Sequence, residues 1–274
     1  MALLNSFTSG VSAVKTFGKS LEVIGDNIAN VNTTGFKGSR TTNQDNFSQT
    51  FERSSAGADT ASPTFAMQVG SGTSVASISQ KFIQGVLSTT GGPADLGIAG
   101  NGFFQVKNPS NSETFVTRAG DFRIDNLGYF VTPQGFRLQG NNVDIKLATP
   151  PTGSQLESYS ISSTGVLREY YSDGTSTKDD VAQKIYLKNF INPNALMKTG
   201  MNLFTGMDAA GPIEAAQAGT AGLGLVKQGT LELSNVDLTQ EFADLILAQR
   251  AFQAGSRVIT VSDSVMEEIV NLKR

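Results

Sequence analysis

The sequence has 274 residues, 21 basic and 24 acidic, for a formal charge of −3; only 16% are charged against 39% hydrophobic. It contains no Cys, no His and no Trp, which excludes disulfides, thiolate nucleophiles, Ser-His-Asp triads and Cys- or His-ligated metals, so no enzyme activity and no cofactor are expected. The weak acidic balance argues against nucleic acid, and the absence of a long apolar run or a basic-then-apolar leader argues against membrane insertion and a cleaved signal.

Near the N-terminus, Leu4, Phe7, Val11, Val14, Phe17, Leu21, Ile24, Ile28 and Val31 recur at intervals of 3 and 4. That rhythm predicts a long helix from Leu3 to Val31 with one narrow apolar seam. Asn32-Thr33-Thr34-Gly35 is expected to stop it, with Gly35 as a left-handed cap. Residues 1–37 are therefore read as the N-terminal half of a helical domain.

Residues 38–69 are rich in Ser, Thr, Gln, Asn and Ala. They read as a polar linker or arm, with the isolated aromatics Phe47, Phe51 and Phe65 as its anchors. From 70 to 224 the period changes to two, as in Val143-Asp144-Ile145-Lys146-Leu147 and Ile185-Tyr186-Leu187. Glycine, 29 of 274 residues, supplies turns at short spacing. This region is read as a β-rich outer domain of sandwich or barrel-like type, with 208–224 as a return loop. Gly100-Asn101-Gly102 reads as a hairpin turn rather than a phosphate loop, since no Lys and no helix follow it. Asp95, Asp121, Asp125 and Asp144 are the carboxylates nearest aromatic or apolar strand segments; a glycosidase-like pair would need two of them close together, and they read better as turn and edge residues.

Residues 225–274 are read as the C-terminal half of the helical domain. Asp237 is the expected N-cap, with Gln240 closing a capping box. Leu238, Leu245, Phe252, Ile259 and Met266 lie seven apart, joined by Phe242 and Val270, and Lys273 and Arg274 favour a helix C-terminus. The fold class is thus α+β: long terminal helices paired as a coiled-coil-like tube domain around a central all-β domain. The same stripes serve an intramolecular helical hairpin or an intermolecular tube, and spacing does not choose between them.

The run Asn27-Ile28-Ala29-Asn30-Val31-Asn32-Thr33-Thr34-Gly35-Phe36-Lys37 resembles the N-terminal motif of the bacterial flagellar rod and hook proteins. Gln68-Val69-Gly70-Ser71-Gly72, Ile98-Ala99-Gly100-Asn101-Gly102-Phe103-Phe104, Thr117-Arg118-Ala119-Gly120-Asp121-Phe122 and Ser234-Asn235-Val236-Asp237-Leu238 continue the resemblance in order. Ser9-Gly10-Val11-Ser12 and the ending Val270-Asn271-Leu272-Lys273-Arg274 are closer to the hook type. The short length and the polar segment are closer to the distal rod type. The resemblance implies a structural, non-enzymatic subunit of the flagellar axis, with the hook ranked first and the distal rod second. It implies self-polymerisation into a helical tube around an export channel, with the terminal stripes as the assembly seam. It also implies neighbouring axial proteins as partners (distal rod, hook-filament junction, hook cap) and type III export to the flagellum without a cleaved signal. A rival reading from another class is a secreted β-rich binding or carbohydrate-active module with helical flanks.

Overall fold

A computed structural model describes residues 2–54, 65–148, 155–174 and 184–272. The side chain of Leu4, the expected terminal cations Lys273 and Arg274, and the middle of the polar segment lie outside the described residues. The chain divides into two units, one of Met1–Ala29, Ser39–Lys81 and Asp237–Arg274, the other of Asn30–Gly38 and Phe82–Val236.

The first unit holds helix α1 (Ala2–Ala29) and helix α2 (Leu238–Leu272). Helix α1 ends two residues before the expected Val31. Asn30 and Thr33 explain this: the Thr33 N–H donates to Asn30 O at 3.1 Å, and their side chains also meet, at 3.2 Å, which folds a turn in place of another helical one. Gly35 therefore lies beyond the cap position. At the start of α2, Asp237 Oδ1 accepts from Thr239 N at 2.9 Å, as expected of an N-cap. Gln240 does not complete the capping box. Its amide reaches forward to Asp244 Oδ1 at 3.1 Å, a charged acceptor one turn on.

Among its described residues the segment expected as a linker is instead mostly strand, with β1 (Ser39–Asp45), β2 (Ser48–Glu52) and most of β3 (Met67–Gly70), and β4 (Thr73–Gln80), expected in the outer domain, joins them. β1 pairs antiparallel with β4, and β2 with β3. Bonds from Asn46 N to Gly72 O (2.9 Å) and from Ser71 N to Phe47 O (3.0 Å) join the two ladders into one ribbon. Its backbone groups are satisfied by each other, so the ribbon forms without the hydrophobic alternation that marks a buried strand. Helix α1 holds its base through Thr16 Oγ1, which donates to Thr73 O at 3.2 Å, and Ser12 Oγ, which accepts from Thr73 N at 3.2 Å.

The second unit is β-rich. Its strands are β5 (Leu87–Thr89), β6 (Leu96–Ala99), β7 (Phe103–Lys107), β8 (Thr114–Thr117), β9 (Arg123–Ile124), β10 (Phe130–Val131) and β11 (Arg137–Leu138). They continue with β12 (Leu156–Ile161), β13 (Leu167–Tyr171), β14 (Tyr186–Phe190), β15 (Met197–Gly200) and β16 (Leu203–Thr205). Last come β17 (Pro212–Gln217), β18 (Leu225–Gln228) and β19 (Thr230–Glu232). Nine of them form one sheet, in the order β15-β16-β8-β7-β11-β10-β9 with β14 on β7 and β17 on β14. The remaining pairs β12-β13, β18-β6 and β19-β5 are separate ladders, and no closed barrel forms among the described residues.

Three boundaries differ from the sequence reading. The β-unit runs from 82 to 236 rather than from 70 to 224; residues 225–232, expected in the helical half, carry β18 and β19; and the expected return loop carries β17. Gly100–Gly102 links β6 to β7, which lie in different ladders, so it is a crossover bend and not a hairpin. One core gathers Leu96, Ile98, Phe104, Phe130, Leu138, Ile145, Leu167 and Leu187, all fully buried. A second gathers Phe103, Val116, Phe190 and Phe204, with Phe103 edge-on to Phe190 and Phe204.

Candidate functional site

The helix pair was expected to close on the large apolar row of α2. The structure places a different row at the centre. The buried residues of α2 are Glu241, Ala248, Gly255 and Ser262, spaced seven apart. Leu245, Phe252 and Ile259 flank them half-buried, while Leu238, Phe242, Met266 and Val270 are exposed. Close backbone approach is the cause. A Cβ on Gly10 would lie 3.0 Å from Ile259 Cγ1, and one on Gly255 would lie 3.2 Å from Val14 Cγ2. Helices this near leave no room for Leu or Phe in the central row. On α1, Phe7, Val11, Val14, Phe17, Leu21, Ile24 and Ile28 are all half-buried; Val31, also half-buried, belongs to the other unit.

A second stripe on α2 escaped the sequence reading. Val258, Val261, Val265, Ile269 and Leu272 follow at steps of 3, 4, 4 and 3, and all are exposed except Val265, which is half-buried. The signal was the helical period itself, hidden behind the stricter heptad row. On the ribbon, Phe47, Phe51 and Phe65 are 82%, 63% and 88% exposed. None of the three is packed away among the described residues. Large apolar side chains left this exposed make the ribbon a candidate contact surface.

The motif run from Asn27 to Lys37 contributes to two polar locks, one in each unit. In the first unit the Asn27 side chain, 1% exposed, accepts from Ser39 N at 2.8 Å and donates to Ser39 O at 2.8 Å. It also donates to Glu241 Oε2 at 3.2 Å. One amide thus ties α1, β1 and α2 together. Asn27→Ala would strip the partners from the Ser39 backbone and a buried carboxylate, at about 1–3 kcal/mol for each orphaned group. Thermal unfolding of the variant is expected to start earlier, and amide exchange at Ser39 to accelerate; an unchanged Ser39 rate would contradict the lock.

In the second unit Lys37, Arg118 and Glu232 form a buried triad, with side chains 1%, 5% and 0% exposed. Lys37 Nζ donates to Glu232 Oε1 at 2.7 Å and to Ile83 O at 2.8 Å. Arg118 Nη1 donates to Glu232 Oε2 at 3.2 Å and Nη2 to Gly100 O at 2.9 Å. Gly85 N adds a further donor to Glu232 Oε1 at 2.8 Å. Burial pushes the pKa of both cations down, and the Glu232 carboxylate opposes it. Next to the triad, Gly35 has φ +66° and its N–H donates to Glu232 O at 2.7 Å. A Cβ there would lie 2.5 Å from Ala119 N, so only glycine fits. Phe36 is 1% exposed, beneath Lys198 Nζ at 4.3 Å from its ring centre. Ile28, Asn30 and Thr33 are half-buried, and Ala29 and Asn32 face solvent.

The candidate carboxylates have structural tasks. Asp125 shapes a turn, its Oδ1 accepting from Asn126 N at 2.7 Å, and Asp144 pairs with Arg137 at 3.0 Å. Asp95 and Asp121 face each other as a bridge. Burial, and then the charge of Asp95, raise the Asp121 pKa. A raised folded pKa stabilises the fold below the unfolded value of about 4 and loses that benefit as pH rises. Asp121→Asn is therefore expected to raise the melting temperature at pH 7 by a few degrees, and the gain should vanish near pH 3.5.

With this geometry in place, comparison with known proteins decides the family. Residues 7–37 match the family described as "Flagella basal body rod protein", 97–168 the "Flagellar hook protein FlgE/F/G D1 domain", and 227–272 the "Flagellar basal body rod FlgEFG protein C-terminal". The chain is 42% identical to the flagellar basal-body rod protein FlgG of Bacillus subtilis (strain 168), over 99% of this chain and 100% of that one. The chain belongs to the flagellar rod and hook protein family.

Other members of the family align over full length as well. The FlgG of Caulobacter vibrioides is 36% identical over the whole of both chains. The flagellar hook protein FlgE of Borreliella burgdorferi is 25% identical over 446 aligned positions, covering 99% of this chain and 100% of its own. The matched segments fall on the features just described: the first on most of α1 and the run to Lys37, the last on β18, β19 and α2. A rod and hook family member is a structural subunit of the flagellar axis, and the exposed stripes above suit such a role. No helix among the described residues is long and apolar enough to cross a membrane.

Proposed function

We propose that this chain is a distal rod subunit of the flagellar basal body, polymerising helically around a central export channel. The observation that supports it is one of size and identity together. The rod relatives are more similar than the hook relative and match end to end at this chain's own length, whereas the hook alignment must open wide gaps. The relatives thus favour the reading that the sequence analysis ranked second over the hook reading it ranked first.

The physical mechanism follows from unlike surfaces on one subunit. The α2 stripe and the aromatic ribbon are distinct patches, so subunits joined through them make heterologous contacts that repeat without closing, which builds an open helical polymer. The exposed Phe47, Phe51 and Phe65 each bury about 150–250 Å² when a neighbouring copy covers them. The partners in this reading are further copies, the adjoining axial proteins and the type III export apparatus; hook cap and hook-filament junction proteins would follow only from the hook alternative. Immunogold labelling of isolated basal bodies tests the assignment. Label is expected on the straight rod, and label along the curved hook would overturn it.

A further inference from the structure

The uncovered stripe of α2 has a basic residue near its start and an acidic one near its end, both on one border. Ala254, Val258, Val261, Val265, Ile269 and Leu272 run along the stripe for roughly 27 Å at 1.5 Å per residue. Arg257 lies one turn before Val261, and Glu268 one turn before Leu272. About three turns separate the two, which puts them on the same side. Both are exposed, and no ion pair among the described residues takes either. The opposite border of the stripe holds Gly255 and Ser262, which are buried.

Beside the middle of the stripe lies a shallow groove of about 410 Å³. It is lined by Arg257, Val258, Val261, Ser262 and Val265 of α2 and by Ser6 of α1, all in the first unit. Three valines make its walls, and Arg257 is its one charge. Such a surface releases its water most readily to the apolar face of another helix. The groove also spans the midpoint between Arg257 and Glu268, the point about which the stripe would meet an inverted copy of itself.

We propose that α2 pairs antiparallel with α2 of a second copy of this chain, stripe against stripe, Val261 and Val265 of each copy entering the groove of the other. Two antiparallel helices bring the same border of each into contact, with their opposite ends opposed. Arg257 of each copy then meets Glu268 of the other, and the pair is made twice. A parallel arrangement would set this border against Gly255 and Ser262, which carry no charge to answer it. Charge thus fixes the orientation, while the apolar side chains supply most of the affinity. The contact is isologous and closes on itself. It covers the stripe that the polymer proposed above would use. On that reading the dimer is a resting form, which comes apart before a subunit joins the axis.

The test is sedimentation of the full-length chain over a concentration series, with circular dichroism to confirm that each variant is folded. A monomer–dimer equilibrium is the expected result. Arg257→Glu and Glu268→Arg should each weaken it at least tenfold, because symmetry turns two attractive contacts into two like-charged ones. The double variant Arg257→Glu/Glu268→Arg inverts both signs and should recover most of the lost affinity. Val261→Asp, at an exposed position in the groove, should abolish the dimer. A chain that stays monomeric, single variants that dimerise normally, or a double variant no tighter than the singles would each overturn the proposal. Growth straight into open polymers with no closed dimer would overturn it as well, in favour of a heterologous use of the stripe. None of these results bears on where label falls on the basal body, so the dimer and the rod reading fail separately.

Discussion

Glu232→Ala is expected to lower the melting temperature of the second unit by roughly 10 °C or more. The substitution leaves Lys37 and Arg118 buried with no counter-charge, and breaking a buried pair in this way costs about 3–5 kcal/mol. For a unit of this size each kcal/mol moves the midpoint by about 2–4 °C. The Gly85 N–H loses its acceptor as well. The loss should be strongly non-additive: once Glu232 is gone, Lys37→Met removes an unpaired charge and should recover part of the stability rather than add to the damage. Thermal unfolding of the two single variants and the double variant decides the matter. Additive losses would mean that the three side chains do not act as one group.

Gly255→Leu should have the largest effect on assembly. A Cβ at 255 already sits 3.2 Å from Val14 and 3.4 Å from Ala13, so a full Leu side chain cannot enter the contact. Relief requires the helices to separate, which would also empty the packing around Leu245 and Ile259. The second unit contains neither helix and should keep its own transition. The expected outcome is a chain with a near-normal β-rich transition that forms no polymer. A variant that polymerises normally would show that the close Gly10–Gly255 contact is dispensable. Phe252→Asp, at a half-buried flank, should weaken polymerisation less than Gly255→Leu does.

Both predictions rest on features that were legible in the sequence only in part. The helices were legible because Phe7, Val14, Leu21 and Ile28, and Leu245, Phe252 and Ile259, repeat at helical intervals that nothing else explains. Their packing was not, because periodicity reports which face is apolar and not how closely two backbones approach. Ala248, Gly255 and Ser262 carried that signal as a heptad row of small residues, interrupted by Glu241 where the Asn27 lock begins. The ribbon was missed because β2 and β3 are exposed along almost their whole length, so Ser48–Glu52 has no buried face to impress on the pattern. The motif run pointed to Asn27 and Lys37 as residues, yet Ser39, Glu241, Arg118 and Glu232 come from distant stretches that only the fold assembles. Hook against rod was a matter of whole-length likeness, which short terminal motifs such as Ser9-Gly10-Val11-Ser12 do not measure.

The pairing of α1 with α2 also sets an order of events for a chain that emerges one end first. Gly10 meets Gly255 near opposite extremes of the sequence, so their contact is among the last that a growing or threading chain can make. The strands between them draw mostly on each other and can condense while the final helix is still absent. The α1–α2 contact, with the apolar stripe of α2 that is proposed to join subunits, therefore matures last, after the residues that build it have all arrived. A subunit halted partway lacks α2 and its apolar stripe altogether. In the proposed assembly, timing of synthesis or transit alone would thus delay competence for polymerisation.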